Sequence, residues 1–587
     1  MTGAPPSSDR TVDTDVIVVG GGPVGLTLAH ELGSRGVGVV LVEPRTVPDE
    51  SSPRCKQVNP RSMEHFRRLG VAGTVRAHSP FPVGWSDSTV FCTSLTGRQV
   101  TRFDGVFALS AQQRPELPEP AQWTAQYRLE RALRATLPSR PTVTALWGSR
   151  VDGVEQEADA VTATVVDAHG GTRTLRARYL AAADGGRSTV RRDLGIVLHG
   201  SSHTVRNLQV VFDAPGLADA HHHGEAVQYW VLGDGAGGLL GRLDTGDAWW
   251  AIIIGAPEDA STEWVTGALR TMTGATTPIR VRSRDPWTAR MLVADRYRAG
   301  RCFVAGDAAH LNPPWGGFGA NTGIGDAVDL GWKLAATLQG WGGAGLLDSY
   351  ELERRPFAER AVAEAEANMA VLTPELASPR LAEPGEEGRI ARQDAADAVR
   401  RAKTSEFYTL GFVLGTGCPD SPIVVAYDAP APRSTTSDYR PSAAPGMRLP
   451  HLWTGVGTSL YDDLGPGLTL VNTGAGPAPP RWREAADRRG VPWTEVSLDH
   501  PDTHRNLGAR YLLVRPDHLV AWRGDALPDH PDRLLDAVLG TRRDGTAPGR
   551  TGPGRDRSPS PAARRPDTPI ALTAVAGRPT TAAGETS

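Results

Sequence analysis

The chain has 587 residues, enough for about three domains around a large core. Hydrophobic residues make up 40% and charged residues 22%, a soluble globular balance. The formal net charge of −3 gives no electrostatic reason to expect nucleic acid or a membrane surface as a partner.

Other compositional signals agree. Cys55, Cys92, Cys302 and Cys418 have neither metal nor redox spacing, which fits reduced thiols. The start, MTGAPPSSDRTVDTD, has no apolar signal region, and no apolar run approaches a membrane span. A cytoplasmic location is expected. Lysine occurs only at Lys56, Lys333 and Lys403, in keeping with a GC-rich genome.

Asp15 to Val19 is a short β-branched run that reads as a buried strand. It ends in Gly20-Gly21-Gly22-Pro23-Val24-Gly25, a G-x-G-x-x-G match. Pro23 suits a first helical turn, where its missing N–H would be unpaired anyway. Val24, Leu28 and Leu32 recur at helical spacing up to a stop at Gly36. A second apolar run, Val37 to Val42, ends at Glu43. Strand, glycine turn, helix, strand and acid make a complete dinucleotide-binding unit. The glycines let backbone approach a pyrophosphate, and Glu43 is placed for a ribose 2′-hydroxyl. An acid there disfavours a 2′-phosphate, so the adenosine of FAD or NAD is expected.

A helix is predicted from about Pro60 to a stop at Leu69-Gly70. Arg54 and Lys56, in the loop before it, are either solvated charges or ligand contacts. Residues 80 to 120 alternate strand-like pieces with Pro and Gly. Gln122 to Leu137 reads as an amphipathic helix, with Gln126 near its start. Residues 143 to 183 read as strands. The last of them, Arg178 to Ala183, runs into Asp184-Gly185-Gly186, a second acid–glycine turn before a helix. Residues 205 to 290 alternate with period two and carry Tyr229, Trp230, Trp249 and Trp250, predicting an inserted antiparallel sheet. Adjacent His221, His222 and His223 cannot all face one ion from a strand. A surface loop and no metal site are expected there.

Cys302 to Ala305 is a third strand, turning at Gly306-Asp307. A loop rich in Pro and Gly, Pro313 to Gly319, leads to a helix from about Asn321. Asp307 can accept hydroxyl hydrogen bonds, and the helix N-terminus offers free N–H groups and a positive dipole end. Such a site suits a large, flat, partly anionic ligand. A charged helix follows from Leu346 to Leu372, then helix mixed with Pro-rich loops to 445. Residues Gly446 to Leu539 read as a small β/α domain, and 541–587 as a disordered tail.

With these three motifs in one order, the sequence resembles the single-component FAD-dependent aromatic hydroxylases, the para-hydroxybenzoate hydroxylase-like flavoprotein monooxygenases. The resemblance covers roughly residues 14 to 375. It is most specific at GDAAHLNPPWGGFGANTGIGDAVDLGWKLA and LLDSYELERRP. The segment SPRCKQVNPRSMEHFRRLG and the C-terminal module resemble the longer phenol and chlorophenol hydroxylase-like subgroup, which includes tailoring oxygenases of aromatic natural products. That subgroup carries a thioredoxin-like C-terminal domain. This chain has no Cys-x-x-Cys there, which argues against a redox role.

The resemblance implies an α/β fold with a Rossmann-like FAD-binding domain of the glutathione reductase type. That domain would span 14–204, with a substrate-domain excursion at about 80–122, and 291–375. An inserted antiparallel-sheet substrate domain (205–290), a helical and loop connector (376–445) and the thioredoxin-like domain (446–540) would complete it before the tail.

It also implies roles. Gly20, Gly22, Pro23, Val24 and Gly25 approach the FAD pyrophosphate, and Glu43 binds the adenosine ribose. Arg54 lies near pyrophosphate and flavin, and Gln126 contacts the cofactor. Asp184 belongs to an Asp-Gly motif associated with both FAD and NADPH. Gly306 and Asp307 hold the ribityl chain. Pro314 to Asn321, with Gly317, Gly319 and Ala320, line the isoalloxazine ring. Relatives often carry Gly-Gln-Gly or Gly-Lys-Gly where this chain has Gly317-Phe318-Gly319.

The implied chemistry is reduction of FAD by NADPH or NADH, formation of a flavin hydroperoxide from O₂, and hydroxylation of an aromatic, polycyclic natural-product substrate. The flavin does the chemistry, so no catalytic residue is assigned. Tyr229, Trp230, Trp287, Arg290 and Phe318 are the pocket candidates. Arg290 stands where phenol hydroxylases carry a tyrosine, which argues against phenol-type activation. Baeyer–Villiger oxygen insertion and FAD binding without turnover are the competing readings. A flavin halogenase is disfavoured because its Trp-x-Trp-x-Ile-Pro sequence is missing. The expected partner is a small aromatic molecule, in a monomer or homodimer.

Overall fold

Five parallel strands organise the nucleotide-binding part. Their order is Cys302–Val304, Thr172–Ala182, Thr14–Val19, Val39–Glu43 and Val143–Trp147. Arg298–Ala299 adds an antiparallel edge. Val16, Ile17 and Val18 have no exposed surface, which is why the run is apolar at successive positions rather than alternating. The register sets Val19 beside Ala182 and Val42, and Ala182 beside Val304. The strands therefore end level, and the three turns leave from one edge of the sheet. These elements belong to a computed structural model that describes residues 12–232, 237–369, 378–426, 432–498 and 501–541. Apart from Thr541, the expected tail lies outside the described residues.

Two helices differ from expectation at their starts. The helix after the third turn spans Phe318–Leu338 rather than beginning near Asn321. Gly317 caps it with a left-handed φ of 67°, so the first turn forms earlier. The helix expected from Gln122 begins at Gln126, because Gln122–Trp123 pairs with Gln57–Val58 as a short antiparallel ribbon. The charged helix spans Ala344–Met369. Among the described residues, no helix is long and apolar enough to cross a membrane.

The second large sheet has eight strands. Their order is His310–Leu311, Arg280–Ala294, Leu198–Asp213, Ala248–Ile254, Gly238–Arg242, Gln228–Val231, Thr89–Cys92 and Gln99–Phe103. The 80–122 excursion supplies the last two. The sheet is not purely antiparallel: Gln228–Val231 runs parallel to Thr89–Cys92, since these strands come from distant parts of the chain. Its two longest strands also overrun the expected bounds of 205 and 290.

Alternation sorts the side chains of this sheet between two cores. Phe91, Val211, Trp230, Leu239, Trp250 and Ile252 face one. Val90, Val210, Tyr229, Leu240, Trp249 and Ile253 face the other, under the helix Thr262–Thr273. The histidine run is only partly a surface loop. His223 is buried, and the His221 ring packs edge-on to Tyr229 at 5.1 Å.

The main sheet of the C-terminal unit has four strands, in the order Trp493–Ser497, Leu468–Asn472, Tyr511–Val514, Val520–Gly524. Buried charge joins it to the rest of the chain. Arg515 donates to Glu353 at 2.7 and 2.8 Å, to Asp329 at 3.1 Å and to Asp517 at 2.5 Å. Lys333 donates to Asp329 and Glu353, each at 2.8 Å. Three carboxyls thus share two cations. Burial is the largest influence on each acid. For Glu353, the charges of Arg515 and Lys333 overcome it and hold the carboxyl well below its usual value. For Asp329, burial prevails and pushes the carboxyl up to about 8. A second buried pair, Arg448 to Glu64, closes the same interface with bonds of 2.7 and 3.1 Å.

Arg515→Met leaves three buried carboxyls with Lys333 as their remaining shared cation and should cost roughly 3–5 kcal/mol, measured by denaturant unfolding. The Glu353 contribution is present above its unfolded value and is lost as pH falls toward the depressed folded value. The gap between wild type and variant should therefore narrow below about pH 4.

Candidate functional site

The first turn is held open by close backbone approach. Gly20 has φ 103°, and a Cβ there would overlap the carbonyl of Ala183. A Cβ on Gly25 would overlap the carbonyl of Gly20. A Cβ on Gly22 would meet nothing within 4 Å, so this glycine borders open space. Gly22 caps the helix Pro23–Ser34 with no side-chain bond. The first N–H groups of that helix are left for a ligand. Glu43 is buried beside them. Its Oε2 accepts from the Gly21 N–H at 2.6 Å, and its Oε1 accepts from the N–H and Nε of Arg45 at 3.0 and 2.7 Å. A carboxylate has about four lone-pair sites, so a ribose hydroxyl can still be accepted. Gln126 lies close by and donates to Glu130 at 2.9 Å.

In the second turn, Asp184 Oδ2 accepts from the N–H of Thr189 at 3.0 Å and of Val190 at 3.4 Å. Its Oδ1 is buried with no partner, and burial pushes the carboxyl up. A buried acceptor without a donor is costly unless a ligand completes it.

In the third turn, Asp307 is exposed between buried neighbours, Gly306 and Ala308. Burial pushes its carboxyl up, against the charges of His310 and Arg54. Neither the Asp307 carboxylate nor the Arg54 guanidinium has a hydrogen-bond partner among the described residues. Sequence reasoning missed what supports this turn. Asp326, with no exposed surface, accepts from the Gly306 N–H at 3.0 Å and from Arg354 Nε at 2.9 Å, and bonds His310 Nε2 at 2.8 Å. The Tyr350 hydroxyl donates to the Val304 carbonyl at 2.9 Å. The available signal was an acid, a histidine and an arginine inside stretches otherwise rich in small residues.

The Asn321 side chain is committed within the protein. Its Oδ1 accepts from the Asn59 N–H at 2.9 Å and the Ser62 hydroxyl at 2.7 Å. Its Nδ2 donates to the carbonyls of Gln57 at 3.0 Å and Gly317 at 2.8 Å. The side chain clamps the Arg54–Asn59 loop to the first turn of the helix and leaves only backbone for a ligand. Pro314, Gly319 and Ala320 lie in the same cap and first turn.

The pocket candidates divide. Trp230 joins Trp250 and Trp315 in one aromatic wall, with Trp230 and Trp315 rings 5.4 Å apart and Trp287 packed at its edge. Trp315 is the member that sequence reasoning did not single out. Tyr229 cannot share that wall, because neighbours on a strand face opposite ways. Its hydroxyl donates to the Gly224 carbonyl at 2.6 Å, in the other core. Arg290 is exposed and, by alternation, leaves the opposite face from Trp287. Phe318 is buried edge-on against Phe412 at 4.7 Å, in a cluster with Phe357.

Free helix N–H groups at Gly22, an orphaned acceptor at Asp184 and an uncommitted carboxylate at Asp307 leave one sheet edge, and the Arg54 cation acts on Asp307. That donor set fits an elongated dinucleotide carrying phosphates and hydroxyls, as FAD does. Together with the aromatic wall, the fold and cradle define a flavin-dependent aromatic hydroxylase.

Known proteins agree. Residues 13–365 match the family described as FAD binding domain, and residues 442–541 match the aromatic-ring hydroxylase C-terminal family. The chain is 32% identical over 566 residues to tetracenomycin B2 monooxygenase-dioxygenase of Streptomyces olivaceus, covering 90% of this chain and 98% of that one. It is 31% identical to 2,4-dichlorophenol 6-monooxygenase of Cupriavidus pinatubonensis, covering 91% and 96%. The rebeccamycin biosynthetic enzyme RebC with reduced flavin superposes with a TM-score of 0.83 at 36% identity, covering 90% and 99%. Aklavinone-11 hydroxylase, solved with FAD and aklavinone, gives 0.76 at 30% identity, covering 90% and 100%. The chain belongs to the FAD-dependent aromatic hydroxylase family and is an FAD-dependent monooxygenase.

Asp307→Ala should weaken FAD binding roughly 10- to 100-fold, the worth of a charged hydrogen bond, read by release of flavin fluorescence. Gly25→Ala should yield colourless protein after gel filtration, whereas Gly73→Ala, whose Cβ would meet nothing within 4 Å, should stay yellow.

Proposed function

We propose that this chain is an NAD(P)H- and O₂-dependent monooxygenase that hydroxylates an aromatic, polycyclic natural-product substrate. The observation that carries the reading is that Trp315, in the loop of the third turn, packs on Trp230 at 5.4 Å, in one aromatic cluster with Trp250 and Trp287. Relatives whose names include polyketide hydroxylases and tetracenomycin monooxygenases support a substrate with fused rings. When bound, FAD supplies acceptance of a hydride from NAD(P)H and activation of O₂ for transfer to the ring.

The chain's own residues position and enclose. Gly20, Gly22 and Gly25 seat the pyrophosphate on the N-terminus of the helix Pro23–Ser34. Pro23 and Val24 shape that turn, Glu43 takes the adenosine ribose, and Gln126 flanks it. Arg54 neutralises the anionic middle of the cofactor. Asp184 completes its orphaned bond there, and Asp307, on Gly306, takes the ribityl hydroxyls. The cap Pro314–Asn321 carries the ring, with Gly317, Gly319 and Ala320 allowing close approach. The helix Phe318–Leu338 directs its positive end toward the ring's electron-rich edge. The tryptophan wall keeps the reacting space dry.

The domain assignment follows the same reading, with FAD-binding segments at 14–204 and 291–375, an inserted substrate sheet and a helical connector. The unit at 446–540 is thioredoxin-like. Its support is the strand order, in which the second and first strands are parallel and the third and fourth follow antiparallel. The last cysteine of the chain is Cys418, so this unit carries no thiol for redox work.

The test is a panel of hydroxylated naphthalenes and anthraquinones with the yellow holoenzyme. A substrate should accelerate NAD(P)H oxidation, and one ¹⁸O atom from ¹⁸O₂ should appear on a ring carbon of the product. A lactone would instead indicate Baeyer–Villiger insertion. Flavin that NAD(P)H never reduces would indicate a binding protein.

A further inference from the structure

Each of the three lysines lies in the interior or partly so, in a chain that uses arginine almost everywhere else. Lys333 is buried between Asp329 and Glu353. Lys403 is buried and paired with Glu406 at 2.6 Å. Lys56 differs. It is half-buried, and among the described residues no carboxylate pairs with it. Its Nζ donates only to the carbonyl of Arg54 at 3.0 Å and lies 4.1 Å above the ring of Trp250.

Its surroundings join the cap of the helix Phe318–Leu338 to the aromatic cluster. The next residue, Gln57, abuts Gly317, the cap of the helix that faces the flavin end. The Lys56 carbonyl accepts from the Thr124 N–H at 2.9 Å, which fixes the loop against the ribbon. Trp250 belongs to the aromatic wall. The strand Ala248–Ile254 that carries Trp250 has no titratable residue, and neither does Gln122–Trp123. On its own loop, Arg54 and Cys55 flank it, and Asp285 reaches the loop through Ser52 at 2.6 Å.

We propose that Lys56 binds an acidic hydroxyl of the aromatic substrate and holds it as its conjugate base over Trp250. This rests on the hydroxylase reading above. The hydroxyl proton passes to the neutral amine, the electron pair stays on oxygen, and the resulting ammonium remains ion-paired to the oxyanion. The ring gains the electron density that attack by an electrophilic oxygen requires. An arginine would stay protonated, whereas a lysine can exchange a proton. Burial lowers the Lys56 amine to about 8, where both forms coexist near neutral pH. Arg290, on the opposite face of its strand from Trp287, takes no part in this activation.

The test uses the FAD-bound enzyme and 2-hydroxyanthraquinone, whose colour changes when its hydroxyl ionises. Wild type should shift the ionisation of the bound probe at least tenfold toward the anion relative to Lys56→Met, an effect of about the size one adjacent cation produces. Lys56→Arg should keep the bound anion but lose the amine's own titration near pH 8. That titration is read by NMR of ¹³C-methylated lysines, of which the chain has only three. Equal ionisation midpoints in wild type and Lys56→Met, or a Lys56 signal that titrates at the ordinary lysine value and ignores the probe, would overturn the proposal. The probe is scored for ionisation rather than turnover. Failure of every aromatic to accelerate NAD(P)H oxidation would sink the hydroxylase reading while leaving the ionisation result to decide Lys56.

Discussion

A single buried carboxylate sets the geometry of the flavin end. Asp326 sits inside the helix Phe318–Leu338 with no exposed surface, yet it stays ionised. Burial alone would raise its pKa, but the charges of His310 and Arg354 outweigh that and hold it below the ordinary carboxylate value. Its hydrogen bond to the Gly306 N–H ties the helix to the turn that presents Asp307. Arg354 comes from the following helix, so three successive elements meet on one charge. Removing a partner would strand a charge in the core, which is far more costly than losing an exposed ion pair. The turn is therefore fixed before any ligand arrives, and preorganisation is what a flavin site needs most.

The same logic of buried charge recurs where the C-terminal unit docks. Arg515 and Lys333 serve three carboxyls from both sides of that interface, and Arg448 serves Glu64. Lys333 and Asp329 lie on the helix that begins at the flavin cap. The C-terminal unit is thus tied to the far part of the helix Phe318–Leu338 by buried charge.

The cradle was largely legible in sequence because it depends on local rules. The first strand announces itself by a β-branched run, the second and third turns by glycine beside an acid, and the first helix by Val24, Leu28 and Leu32 at helical spacing. The order of Gly20–Gly25, Asp184 and Asp307 was readable. Their convergence on one edge required the parallel register, which no local pattern encodes. The substrate side was less readable for a physical reason. Tyr229 and Trp230 are equally aromatic, but alternation sends them into opposite cores, and which face meets the flavin depends on tertiary packing. Phe318 was a pocket candidate from its place in the glycine-rich cap, and its packing partners could not be read from that place. Gly317 takes a left-handed conformation, the helix starts earlier, and the ring turns into the cluster with Phe412. The sequence did not show that the Asn321 amide is fully spent on backbone and a hydroxyl, which leaves its backbone to meet a ligand. Lys56 was read as either a surface charge or a contact, and only its seat over Trp250 distinguishes the two.

The central claim is that the flavin ring rests on the Pro314–Asn321 cap, with Asp307 at its ribityl chain and the tryptophan wall across from it. A crystal structure of the FAD complex tests this most directly. The account predicts pyrophosphate density at Gly22, a ribityl hydroxyl within hydrogen-bond distance of Asp307, and the isoalloxazine ring between the cap and Trp250. Flavin density on another face of the sheet, or Asp307 turned away to a protein partner with FAD bound, would contradict it.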